Sequence, residues 1–159
     1  MNASGPENAG IRFPPPFIYL AGFLISWELQ RLSPLPIASG EEPRWMRILA
    51  WALVAIWALL AASAVSLFRK HRTSFIPHQP ASALVTTGIY RFTRNPMYLS
   101  LASLTLAGAI FLDSWWVVIT LPGVLTIVDR LVISREERYL AARFGAEYDD
   151  YRGNVRRWL

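Results

Sequence analysis

Apolar runs separated by short charged clusters dominate this chain. The longest run, Ile48–Phe68, carries 21 residues without a charge. At the α-helical rise it would cover roughly 32 Å, about one hydrocarbon core. Trp45 and Trp51 stand at its start, and Arg69-Lys70-His71-Arg72 ends it. An earlier run, Pro14–Leu29, opens on three prolines, which suit a first helical turn because a missing N–H costs nothing there. It closes on Glu28, Gln30 and Arg31, with Glu28 expected to pair with Arg31 at the interface. A signal peptide is the alternative for this run, but the residues before it carry a Glu beside an Arg and no small-x-small site follows promptly. Two further runs, Met97–Leu112 and Trp115–Ile133, are separated only by Asp113-Ser114. They predict a tight antiparallel helical hairpin. Its first arm has 16 residues, about 24 Å, which is short for a span. Pro122-Gly123 predicts a kink in the second arm.

This pattern predicts an all-α integral membrane protein built as a single membrane domain over residues 1–159. It would have about four transmembrane helices: 14–29, 48–68 and a short helical hairpin over 97–133. A cytosolic C-terminal segment over 134–159, with a helix of its own, would follow. Residues 1–12 read as a mobile tail.

Composition sharpens that picture. Of 159 residues, 53% are apolar and only 17% charged, against about 25% charged in an ordinary soluble domain. There is no cysteine, so disulfides, thiolate metal sites and a cysteine nucleophile are excluded. Two histidines, His71 and His78, are too few for the usual zinc site, and no metal is expected. The net charge of +5 suits either nucleic acid or an anionic membrane surface. Because the basic residues sit between apolar runs, and seven tryptophans accompany them, the partner is the lipid bilayer and not nucleic acid. Arg12, the 69–94 stretch and the residues from Arg130 onward hold most of the 16 Lys and Arg. The positive-inside bias then puts both termini in the cytoplasm.

The stretch from His71 to Tyr98 is neither span nor simple linker. Pro77, Pro80 and Pro96 interrupt helix, and Gly88 permits a positive φ or a close approach to backbone. Tyr90, Phe92 and Tyr98 add flat apolar faces, and Arg91 and Arg94 add fixed charge. Irregular backbone beside a bilayer must be buried in protein or line a water-filled cavity. After the fourth run, Tyr139, Leu140, Arg143 and Phe144 mark one apolar helical face that Gly145 would end. Glu136 and Glu137 occupy the first turn. On spacing alone they either complement the helix dipole and pair with Arg130, Arg135 or Arg138, or they serve a ligand. An arginine, a carboxylate pair and aromatic rings can together hold a zwitterion. The arginine takes an anion, the glutamates an ammonium or a diol, and the rings a base or a cation. S-adenosylmethionine carries all of these parts, and NADPH carries some of them.

The run Leu84-Val85-Thr86-Thr87-Gly88-Ile89-Tyr90-Arg91-Phe92-Thr93-Arg94-Asn95-Pro96-Met97-Tyr98 is followed by the hairpin. Glu136-Glu137 and Phe144-Gly145-Ala146-Glu147-Tyr148-Asp149-Asp150-Tyr151 come next. Together they resemble the isoprenylcysteine carboxyl methyltransferase family and the phospholipid methyltransferases grouped with it. The resemblance runs from about Pro77 to Leu159. It implies an integral membrane methyltransferase that uses S-adenosylmethionine, yields S-adenosylhomocysteine, and acts on a lipidic or membrane-embedded small acceptor. It also implies a cofactor pocket on the cytosolic side. Leu84, Val85, Gly88 and Tyr90 would line that pocket with His78 at its edge. Asn95, Pro96 and Tyr98 would join them, and Arg94, Glu136 and Glu137 would carry the catalytic and cofactor-holding charge. The prenylcysteine enzymes have His where this chain has Asn95, and an amide cannot become cationic. The Arg-Asn-Pro form is similar to bacterial members, which implies the inner membrane. A membrane reductase of the sterol type using NADPH, or a non-catalytic scaffold, is the alternative.

Overall fold

The computed structural model describes residues 14–38, 40–73 and 81–159. The expected tail at 1–12, together with His78, lies outside those residues. Among the described residues six α-helices follow one another: α1 Pro15–Leu32, α2 Arg44–Lys70, α3 Pro96–Phe111, α4 Trp115–Val128, α5 Ser134–Phe144 and α6 Ala146–Asn154. A 3-10 turn, Gly88–Arg91, precedes α3, and a π turn, Asp129–Ile133, joins α4 to α5. The described residues contain no strand.

The apolar runs determine these helices, and their lengths determine what they can span. Two helices among the described residues are long and apolar enough to cross a membrane: α2, and the continuous rod Trp115–Phe144 made by α4, the π turn and α5. Helices α1 and α3 are not of that kind. Helix α3 is apolar but has 16 residues, and α1 brings Glu28, Gln30 and Arg31 into its last turns. Glu28 meets Arg31 at 3.1 Å on the surface, as its spacing suggested.

Helix α3 is the centre of the bundle. It packs along α2 on one side and against α4 and α1 on the other, while α1 lies mainly on α4. A helix apolar all round belongs inside, and no α3 residue before Phe111 is exposed. Small residues permit the close crossings. A Cβ on Gly22 of α1 would collide with Val124 of α4. One turn on, Ser26 and Thr120 share a hydrogen bond of 2.6 Å between the same two helices. The outward side of α2 shows Trp45, Ile48, Leu49, Trp51, Ile56 and Leu59. Acyl chains would solvate that face, and water would not.

At the end of the bundle away from α5, polar groups stitch the hairpin turn to the α1–α2 connection. Asp113 takes φ +47, a conformation a short polar side chain tolerates. Its Oδ1 accepts hydrogen bonds from the backbone N–H of Ile37 at 2.9 Å and of Ala38 at 2.8 Å. Gln30 Nε2 donates to the Asp113 carbonyl, and Trp116 Nε1 donates to the Ser33 carbonyl. Asp113→Ala should lower unfolding free energy by about 2–3 kcal/mol, the scale of losing two bonds to a charged acceptor. Thermal unfolding in detergent would measure this, and an unchanged midpoint would show that the stitch carries no stability.

The structure departs from the sequence pattern in two places. Helix α4 runs through Pro122, and the rod leaves α geometry further on, at Asp129–Ile133. The segment after the hairpin is two helices, broken at Gly145 with φ +54. The break lets α6 turn back so that Tyr148 and Tyr151 are buried beneath the 3-10 turn, in a cluster with Ala64, Val85 and Tyr90.

Candidate functional site

Three segments converge where the rod leaves its apolar stretch. They are the loop leading into α3, the first turn of α5, and residues 155–159 beyond α6. Pro96 at the first position of α3 fixes the helix start, which sets Tyr98 one turn inside and Arg94 just outside. The π turn widens the rod before α5, and Ser134 Oγ donates to the Asp129 carbonyl there at 2.8 Å. Glu136 and Glu137 follow on the turn that faces α3.

The two glutamates have different partners. Glu137 is held by two guanidiniums. Arg94 Nη1 lies 3.2 Å from its Oε1, and Arg157 Nε donates to the same oxygen at 3.1 Å. Arg157 Nη2 donates to Oε2, while its Nη1 donates to both carboxylate oxygens of Asp129 at 3.2 and 3.1 Å. The Arg94 and Glu137 side chains are only 11% and 13% exposed, so this is a shielded network in which each charge is matched. The bond to Glu137, together with the charges of Glu137 and Asp129, holds the Arg157 guanidinium above its usual range.

Glu136 meets no cation among the described residues. Its carboxylate accepts from the Tyr98 phenol, with both oxygens at 2.8 Å. It lies in the polar turn beyond the apolar stretch that ends at Ile133. Burial pushes its carboxyl up to about 7; the Tyr98 bond pulls the other way, and the charge of Glu137 adds to the rise. One further group has no counterpart. Arg94 Nε is buried without a hydrogen-bond partner among the described residues, whereas its Nη1 also reaches Tyr148 Oη at 3.5 Å. A guanidinium N–H without an acceptor and a carboxylate without a cation therefore stand on neighbouring segments. A buried N–H normally has an acceptor.

The remaining residues singled out by the sequence divide into supports and apolar wall. Asn95 faces the last residues of the chain, where its Nδ2 donates to the Arg157 carbonyl at 2.9 Å. Thr93 Oγ1 donates to the same carbonyl at 3.2 Å, and the Arg94 N–H to the Arg156 carbonyl at 3.0 Å. The amide thus fastens this segment across the site, a task that needs an N–H donor and no titration. Val85 and Tyr90 are buried with Tyr148 and Tyr151, and Leu84 packs against them. Tyr151 Oη donates to the Tyr90 carbonyl at 2.8 Å. Burial raises the phenols of Tyr90, Tyr148 and Tyr151, so all three stay neutral at physiological pH. Gly88 has φ +61, and a Cβ there would meet Leu67 at 2.8 Å, which accounts for glycine at that corner.

Asp129, Tyr148 and Arg157 complete the network without having been expected in it. The signal for Asp129 was present: an acid inside the apolar run Trp115–Ile133 needs a partner. Arg157 stands in a terminal basic pair, and no local spacing ties it to Glu137, twenty residues away. The partners expected for the glutamates from spacing, Arg130, Arg135 and Arg138, are not the ones that hold Glu137.

Comparison with known proteins adds to this geometry. A family model described as phospholipid methyltransferase matches residues 45–147, from the first turn of α2 to the first turn of α6. The matched stretch contains Arg94, Asn95, Tyr98, Glu136 and Glu137. An uncharacterized protein of Haemophilus influenzae is 41% identical over 66 residues, which are 40% of this chain and the full length of that protein. No solved structure matches the chain.

Proposed function

The chain belongs to the phospholipid methyltransferase family, a family of membrane methyltransferases, and from that premise we propose that it transfers a methyl group from S-adenosylmethionine to a lipidic acceptor. One observation carries the cofactor assignment. The Glu136 carboxylate, which meets a phenol but no cation, and the Arg94 Nε, which meets no acceptor among the described residues, would form the two halves of a receptor for an α-amino acid: an anion for its ammonium and a donor for its carboxylate. S-adenosylmethionine ends in that group, so the residues present fit it.

When bound, the cofactor supplies a methyl group on a positively charged sulfur, ready for in-line displacement. The chain's own residues then have three tasks. Glu136 holds the ammonium, with Tyr98 fixing the carboxylate's orientation. Arg94 holds the carboxylate, and Glu137, itself gripped by Arg157, fixes the guanidinium. The buried tyrosines and Val85 keep water from the wall beneath. Positioning of this kind can supply about 7–11 kcal/mol of a displacement barrier. An acceptor dissolved in the bilayer would reach the site laterally along the helices.

Family membership favours methyl transfer over NADPH-linked reduction. Calorimetric titration of the purified protein separates them: S-adenosylhomocysteine should give saturable heat and NADPH none. Heat with NADPH alone would overturn the assignment. Incubation with radiolabelled S-adenosylmethionine and a total lipid extract should move label into the organic phase, where mass spectrometry identifies the acceptor.

A further inference from the structure

A cleft of about 260 Å³ opens between α5, the end of α6 and Arg157. Ser134, Glu137, Arg138, Ala141, Arg152 and Arg157 line it. Its lining carries three guanidiniums and one carboxylate, and Arg138 brings a charge that no carboxylate pairs among the described residues. Arg152 is half exposed and pairs with Asp149 at 3.0 Å. Arg157 lies on Asp129 and Glu137. Arg138 is exposed and has no ion pair among the described residues. Among the described residues, Arg138 and Arg152 make no ion pair with Glu136 or Glu137, whereas Arg157 grips Glu137.

We propose that this cleft binds the phosphate of an anionic lipid headgroup, held by Arg138 and Arg152 beside Arg157. Guanidinium forks match phosphate oxygens in pairs, and the volume accommodates a phosphate with its first ester substituents. Depth along the rod argues for a lipid source. Ser134 is the first residue past the apolar stretch that ends at Ile133, and Ala141 lies seven residues on, about 10 Å further. The cleft therefore sits in the layer that headgroups occupy, where basic residues beside a span attract anionic lipid. The methyltransferase reading is not required for this site, although both would share Arg157.

The test uses the full chain in a phosphate-free maltoside detergent, titrated by calorimetry with dihexanoyl phosphatidylglycerol below its micellar concentration and, separately, with inorganic phosphate. One saturable lipid site is expected, at least about tenfold tighter than inorganic phosphate. The double change R138Q/R152Q should weaken it by at least about tenfold. If the double variant does not fold, Arg138→Gln alone, which breaks no ion pair among the described residues, should still weaken it several-fold. Equal affinity for inorganic phosphate would overturn the lipid source. Absence of binding, or binding unchanged in the variants, would overturn the site.

Discussion

Arg94→Ala is expected to cut methyl transfer by about a hundredfold to a thousandfold, the scale set by losing an aligned charged donor in a shielded site. The change removes the guanidinium that both meets Glu137, at 3.2 Å, and keeps a buried N–H without a partner among the described residues. It also leaves Glu137 with Arg157 alone, so some stability is lost with the activity. Arg94→Lys separates the two effects. An ammonium can still neutralise Glu137, yet it cannot hold a carboxylate with a second, fixed N–H. The lysine variant should therefore keep most of the thermal midpoint and remain at least about tenfold slower than the wild type. Turnover of Arg94→Ala within threefold of wild type would remove Arg94 from the site.

Affinity for S-adenosylhomocysteine should rise on the order of tenfold from pH 5.5 to pH 7, and the rise should vanish in Glu136→Gln. An ammonium binds the ionised carboxylate, and a group poised near 7 passes from a few per cent ionised to about half over that interval. The free protein should behave in the opposite sense. Burial raises the Glu136 carboxyl from 4.5 to about 7 on folding, so the unfolded chain releases its proton first. The stability this carboxyl contributes is then fully present below about pH 4.5 and is lost as pH rises through about 7. Ligand binding and folding thus pull Glu136 toward different charge states. Titrations at several pH values in buffers of different ionisation heat would detect the proton released on binding below pH 7. A flat affinity profile in the wild type would show that Glu136 does not meet the ammonium.

Periodicity and chain chemistry carry far in this molecule. The charge-free run Ile48–Phe68 specifies the body of α2, and Asp113-Ser114 alone forces the hairpin. Gly145 had to end α5, because a backbone at φ +54 suits glycine best. Tyr98, Arg94 and the glutamates do meet. The pairing within that group could not be read, because it is decided in three dimensions. Two adjacent glutamates on a helix point about 100° apart, so one reaches a phenol of α3 while the other reaches guanidiniums from two distant segments. Asn95 shows the same limit: its side chain could bond a ligand or a carbonyl, and only the fold directs it to Arg157. Spans are legible as apolarity, yet apolarity also describes α3, whose residues before Phe111 are all at least partly covered by its neighbours.

The π turn at Asp129–Ile133 makes the relation between the bilayer half of the rod and its acidic end a matter of phase. A wider turn inserts one residue relative to an α-helix, which swings everything beyond it by about 100°. Helical phase comes only in such steps, so the same sequence held in α geometry through this stretch would keep its composition, its apolar length and every motif, and yet aim both glutamates away from the tyrosine and the arginines. Loss of a single codon within this turn could therefore be absorbed by tightening it to α geometry, with the glutamates aimed as before, whereas the same loss elsewhere in the rod would turn them away.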